Sequence, residues 1–171
     1  MLSRDHHRVQ RHNSRLLQQL KVTLKEYYPR PLEVFDDLET KIARDFLKHY
    51  PTPADLSKLS RKQWKRFATR QHHLGEARCQ ELWEELSKPQ LAIPPHVVRA
   101  KARLLGVLLE QLDASIKAVK TLAEEVQRFF ADMPAAEFIK TLPGGKSGTT
   151  VPLLWAELGD AKQRSDRKSV V

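Results

Sequence analysis

The sequence predicts an all-α fold: a helical bundle with a long antiparallel coiled-coil-like helix and a C-terminal helix-hairpin-helix-like element. Three observations carry this. First, Val98, Ala102, Leu105, Leu109, Leu112, Ile116, Val119, Ala123, Val126, Phe130 and Met133 recur at spacings that alternate four and three. That is the 3.5-residue period of a helix seam held over five heptads, hence one helix of roughly 38 residues and about 55 Å. Second, the chain has only 6 glycines in 171 residues and no stretch of alternating polarity long enough to demand a strand. Third, its 10 prolines fall mostly between the helical patterns, where they end one and begin the next.

The long seam needs a partner surface, because burying a large seam residue stabilises by about 1.5–3 kcal/mol while ordering its backbone costs about 1–2 kcal/mol. Leu105, Leu109, Leu112, Ile116, Val119, Val126 and Phe130 are the seam residues expected to meet that partner, on another copy or within the chain. Leu104, Leu108, Leu122 and Phe129 widen the seam on one flank, which favours more than one neighbour. Gly106 costs about 1 kcal/mol relative to alanine inside a helix, and close approach of a neighbouring backbone would account for it.

In chain order, residues 3 to 28 read as a helix with Val9, Leu16, Leu17, Leu20, Leu24 and Tyr27 on one face. Arg4, Arg8, Arg11 and Arg15 follow a 4, 3, 4 spacing and centre roughly 150° from that face, so one side can pack while the other grips phosphate. Pro29 and Pro31 end this helix, which is the natural antiparallel candidate for the long seam. From Leu32 to Tyr50 the apolar residues keep a helical period, with Asp37 or Thr40 as a cap. The adjacent Asp36 and Asp37 diverge by about 100° on a helix and cannot aim at one ion, so they read as capping or solvated acids.

Pro51, Thr52 and Pro53 form a rigid break, followed by a turn over residues 54 to 59. Ser60 then opens a Ser-x-x-Gln capping box with Gln63. The helix it starts runs to His72 or His73 and carries Arg61, Lys62, Lys65 and Arg66 beside Trp64 and Phe67. Basic residues flanking aromatics can hold a nucleic-acid backbone, but Trp64 and Phe67 lie about 60° apart on the helical wheel and read as core. After Gly75 a helix ends near Ser87, with Leu82, Trp83 and Leu86 inward. His72, His73 and Cys79 lack the paired spacing of a zinc site, and the single cysteine has no acid-base arrangement for nucleophilic catalysis. Pro89, Pro94 and Pro95 form a stiff connector, with Pro95 in the first turn of the long helix.

Beyond Met133 the pattern changes. A short helix over residues 135 to 142, the run Leu142-Pro143-Gly144-Gly145-Lys146-Ser147-Gly148-Thr149, and a second helix ending at Gly159 have the layout of a helix-hairpin-helix. The backbone amides of Gly144, Gly145, Lys146 and Ser147 could then hold a phosphate, the alternative being a plain turn between helices. A P-loop is excluded, because Lys140 stands where its first glycine belongs and no strand precedes it.

One cysteine excludes an internal disulfide and a four-cysteine zinc site and fits a reducing compartment. No apolar run approaches 18 residues and the N-terminus is polar, so neither a membrane span nor a signal peptide is expected. The net charge of +9 is uneven. Residues 1 to 30, 57 to 73 and 161 to 171 carry +5, +6 and +3, and the remainder nets −5. Basic charge is thus gathered where a polyanion could use it, although each run taken alone also suits a solvated helix face.

The ordered set Arg4 to His7, Leu16 to Leu20, Tyr27-Tyr28-Pro29, Phe35-Asp36-Asp37-Leu38, Tyr50-Pro51-Thr52-Pro53, the long helix, Leu142-Pro143-Gly144 and Ala156-Glu157-Leu158-Gly159-Asp160 resembles the middle of an insertion-sequence transposase. The family is the IS-one-ten one, the DEDD or RuvC-like recombinases guided by bridge RNA, and the resemblance covers about residues 4 to 160. It implies an N-terminal RuvC-like domain whose acidic residues bind Mg²⁺, a central coiled-coil region, and a C-terminal domain with a nucleophilic serine. On that reading the carboxylates precede Met1 and the serine follows Val171, so no catalytic residue, metal ligand or cofactor is assigned to this chain, Mg²⁺ belonging to the complete protein. Ser147 does not match the nucleophile's position. The loop Gly144 to Gly148 is one residue longer than the family's turn, and residues 161 to 171 depart from its pattern. The expected chain is therefore a central transposase fragment from an internal start or a degraded element, with its tail out of frame.

Its parts would be a basic helical region over 1–89, the long helix over 90–133, and the start of the C-terminal domain over 134–171. Expected partners are DNA, a guide RNA and further copies of the chain, with no membrane, in the bacterial cytoplasm and at the nucleoid when bound. The other reading, from a different class, is a non-enzymatic helical scaffold or small DNA-binding regulator that oligomerises through the coil.

Overall fold

A computed structural model describes residues 2–90 and 92–131, apart from the side chains of residues 2–4, 70, 71, 126 and 129–131. Every regular element among these residues is helical. In order they are α1 (Leu2–Tyr27), α2 (Arg30–Val34), α3 (Lys41–His49), α4 (Pro53–Ser57), α5 (Arg61–Lys65), a π-helical turn (Arg66–Gln71), α6 (Glu76–Leu86) and α7 (Pro95–Ala131). The expected helix-hairpin-helix and the residues Gly144, Gly145, Lys146 and Ser147 lie outside the described residues. The described residues divide into two units, one of residues 14–114 and one of residues 2–13 with 115–131.

In the unit of residues 14–114, α1 buries Leu16, Leu20, Leu24 and Tyr27, the stripe its periodicity marks. It stops where Tyr28 donates its amide to the Leu24 carbonyl at 2.7 Å, because Pro29 has no amide to continue the ladder. α2 follows with Pro31 in its first turn and lies against α6. The helical period of residues 32 to 50 is divided between α2 and α3. Between them Asp37 Oδ1 accepts the Glu39 amide at 2.7 Å, and the Thr40 hydroxyl donates to the Asp37 carbonyl at 2.8 Å. Those bonds satisfy a turn in place of two helical rungs.

α4 turns the expected loop over residues 54 to 59 into a short helix. Pro53 stands in its first turn, and the Thr52 hydroxyl accepts the Asp55 amide at 3.1 Å. The capping box at the start of α5 is complete: Gln63 donates its amide to Ser60 Oγ at 3.3 Å, and Ser60 donates its amide to Gln63 Oε1 at 2.9 Å. After Lys65 the helix widens to a π turn and closes at His73, which has a φ of 53°. The His73 amide reaches the Thr69 carbonyl at 3.1 Å and the Leu74 amide reaches that of Ala68 at 3.0 Å, so the widened end keeps its carbonyls bonded.

The core of this unit holds the buried stripe of α1 and an aromatic group from α3, α5 and the π turn. Phe46 and Trp64 are almost fully buried and meet edge to face at 6.0 Å between centroids, and Phe67 packs on both. α7 packs against α1. Its seam is closed here by the same chain, since Leu105, Leu109 and Leu112 are at most 1% exposed. Two ionic links accompany the packing: Lys101 of α7 pairs with Glu26 of α1, and Asp113 of α7 receives both Arg44 and Lys48 of α3.

The flank expected to widen the seam is split. Leu108 is buried, whereas Leu104 is 44% exposed. Gly106 also corrects its expectation, because a Cβ built there would meet nothing within 4 Å. In the second unit the described residues are 2–13 of α1 and 115–131 of α7. His6, Asn13 and Ser115 are buried, and Val9, Ile116 and Val119 are half-buried. The side chains of Val126 and Phe130 lie outside the described set.

Candidate nucleic-acid interface

Two helices carry the basic residues that the sequence singles out. On α1 the amphipathic period turns Arg8, Arg11 and Arg15 away from the buried leucines, and all three are exposed. Arg8 donates to Asp5 Oδ1 at 3.0 Å across one turn. Such an exposed pair is worth at most about 1 kcal/mol and would exchange readily for a phosphate. Arg11 and Arg15 carry no ion pair with a described residue, and the Arg4 side chain is outside the described set.

On α5, Trp64 fills the core and fixes which way the basic residues point. Its indole Nε1 donates to the Cys79 carbonyl of α6 at 2.8 Å, and only 1% of the residue is exposed. Trp64 and Phe67 are thus core groups, as their placement on the wheel predicts, and neither offers a stacking face. Around this anchor Arg61 donates to Gln80 and Lys65 pairs with Glu76, both across to α6. The Lys65 ammonium hydrogen-bonds the Glu76 carboxylate and lowers its pKa. Lys62 and Arg66 are exposed and have no ionic partner among the described residues. So Arg61, Lys62 and Lys65 do lie together, at a cleft of about 490 Å³ with Cys79, Gln80 and Trp83, but two of the three are already engaged.

Titratable groups near these helices are structural in character. Cys79 is buried and free, and burial raises its thiol pKa despite the nearby Lys65. This is the environment of an inert thiol rather than a nucleophile. His72 turns inward at the end of the π turn with Nε2 3.6 Å from Asp45 Oδ2 and no hydrogen bond to that nitrogen. Burial lowers its pKa, and Asp45 opposes the shift only in part.

Periodicity does not reveal Asp113, although Arg44 and Lys48 one turn apart on α3 are a local sign of a shared acceptor. The π turn and the buried His72 leave no pattern in the sequence. No three His, Cys, Asp or Glu side chains among the described residues converge as metal ligands. Asp36 instead faces Arg78, and Asp37 bonds its own turn.

A candidate mini-circle transposase for IS117 from Streptomyces coelicolor is 32% identical to this chain over 159 residues. The two proteins are distant homologues. The similarity takes in 85% of this chain but only 36% of the relative, so the chain spans about a third of the relative's length. No protein-family profile matches the chain, and no solved structure matches it significantly. The resemblance read from the residues thus agrees with a transposase relative, at a level coarser than the IS-one-ten family. No helix among the described residues is long and apolar enough to cross a membrane.

Proposed function

We propose that this chain serves DNA transposition as a helical nucleic-acid-binding and assembly segment of an insertion-sequence transposase of the IS-one-ten family. The similarity to the IS117 relative carries the reading, because it runs through 85% of the chain. A net charge of +9 and the outward Arg8, Arg11, Arg15, Lys62 and Arg66 support it, since each phosphate neutralised releases a counterion and adds affinity at low salt. Arg61 and Lys65 join them when phosphate displaces Gln80 and Glu76. DNA is the first partner and a guide RNA the second. Breaking and rejoining DNA, with Mg²⁺, belongs to the complete protein in this reading, and the present chain contributes grip and assembly.

Fluorescence anisotropy with duplex DNA and with structured RNA, across a salt series, tests the proposal. Binding should weaken steeply with salt, and replacing Arg11 and Arg15 together by alanine should reduce the log–log slope by about two on duplex DNA. Lack of binding to either at low salt, or an unchanged slope in the double variant, would refute it and favour a helical scaffold without a polyanion ligand.

A further inference from the structure

The outer side of α7 carries a second seam that no neighbour among the described residues covers. Val97, Ala100, Leu104, Val107, Gln111 and Ala114 recur at spacings of 3, 4, 3, 4 and 3, free of charge throughout. Their mean direction lies about 150° around the helix from the buried seam. Ala100, Leu104, Val107, Gln111 and Ala114 are exposed, with Leu104 and Val107 at 44% and 50%. The other large exposed apolar residue described, Val22, sits one turn before Glu26 on α1, and Glu26 pairs with Lys101 beside this stripe. A heptad repeat with two large apolar residues in open solvent is the pattern of a helix seam awaiting a partner.

We infer that this face joins a second copy of the chain as an antiparallel, two-fold helix pair centred between Leu104 and Val107. The stripe is self-complementary about that point: Leu104 meets Val107 of the partner, Ala100 meets Gln111, and Val97 meets Ala114. The flanking charges choose the direction. In an antiparallel pair the residues just before one seam position face their own kind across the axis, which sets Arg103 of one copy against Glu110 of the other, twice. Arg103 and Glu110 are exposed and have no ionic partner among the described residues of their own chain. In a parallel pair Arg103 would face Leu108 and Glu110 would face Ser115, and neither charge would be answered. The contact spans about 27 Å of helix, at the small end of specific interfaces, so the dimer should form with a dissociation constant of about tens of micromolar. This inference is independent of the nucleic-acid reading.

Sedimentation equilibrium of the full, nuclease-treated chain from about 1 μM to about 1 mM tests it, with circular dichroism recording helix content. The expected result is a reversible monomer–dimer equilibrium. Glu110→Lys or Arg103→Glu alone should weaken it by roughly 30-fold, since two attractive pairs become two repulsive ones, and the double exchange should restore it. Val107→Lys, at an equally exposed position, should abolish it with helix content unchanged. For direction, Leu104→Cys and Val107→Cys variants mixed and oxidised should yield the 104–107 cross-link in preference to either like pair. A monomer throughout the range, single charge variants that dimerise normally, a double exchange without recovery, or a dominant 104–104 cross-link would each overturn the proposal.

Discussion

Replacing Asp113 by asparagine isolates the link between α7 and α3. Asp113 lies on α7 one residue past Leu112, and its carboxylate receives Arg44 through one oxygen and Lys48 through the other. The three side chains are 31%, 17% and 40% exposed, so solvent screens the site without dissolving it. Exposed pairs contribute about 0.2–1 kcal/mol each, and the low exposure of Arg44 puts this pair of contacts near the upper end, about 1–2 kcal/mol together. For a chain of this size that is a fall in Tm of about 2–8 °C at neutral pH. The effect should have a definite pH dependence. Burial pushes the Asp113 pKa up, but hydrogen bonds from Lys48 and Arg44 outweigh it and hold the pKa below the ordinary aspartate value. Folded Asp113 therefore stays ionised where the unfolded one takes a proton, so its stabilisation is full above the ordinary value, about pH 4, and is lost as pH falls through the lowered one. Thermal melts of both proteins at pH 7 in low and high salt, and again toward pH 3, measure this. A Tm change below about 1 °C at pH 7 in low salt, or a difference that persists undiminished at the acid end, would refute the reasoning.

Two further outcomes follow from the same structure. Leu109→Ala should cost about 2–5 kcal/mol in chemical denaturation, because it opens a cavity in a closed seam, whereas Leu104→Ala should cost under about 1 kcal/mol at micromolar concentration; equal losses would refute the assignment of the two faces. Burial lowers the His72 pKa, so as pH falls the unfolded chain takes up its proton before the folded chain does; stability should fall as pH drops below about 6.5 and level off below the lowered pKa. His72→Phe should flatten that part of the stability–pH curve, and an unchanged slope would place the proton uptake elsewhere, such as at His6, whose pKa burial also lowers.

The local chemistry of this chain was legible where one or two residues decide an outcome. The Ser60–Gln63 box, the stop at Pro29 and the start of α7 at Pro95 are each set by backbone donors within a few residues, and all stand as the sequence implies. The core placement of Trp64 was legible too, because its angle on the wheel falls on the buried side of α5. The break between α2 and α3 was harder: the apolar period runs through residues 32 to 50, and only the bonding choices of Asp37 and Thr40 interrupt the helix. For the candidate interface, spacing placed Arg8, Arg11 and Arg15 on an outer face. It could not say that Arg61 and Lys65 are already held by Gln80 and Glu76, since those partners arrive from a different helix.

By itself, then, the sequence determined that α7 is one long helix and that a seam runs along it, because a 3.5-residue apolar period has no other conformation in which its residues share a face. The tertiary structure decided which surface the seam meets. Leu105, Leu109 and Leu112 close within the chain, and Asp113 takes two cations from α3, leaving Leu104, Val107 and Gly106 toward solvent. Periodicity orders residues around one helix axis. The neighbour that covers them depends on contacts between segments up to about seventy residues apart, such as Arg44 and Asp113, and on which of several apolar faces encloses the most area.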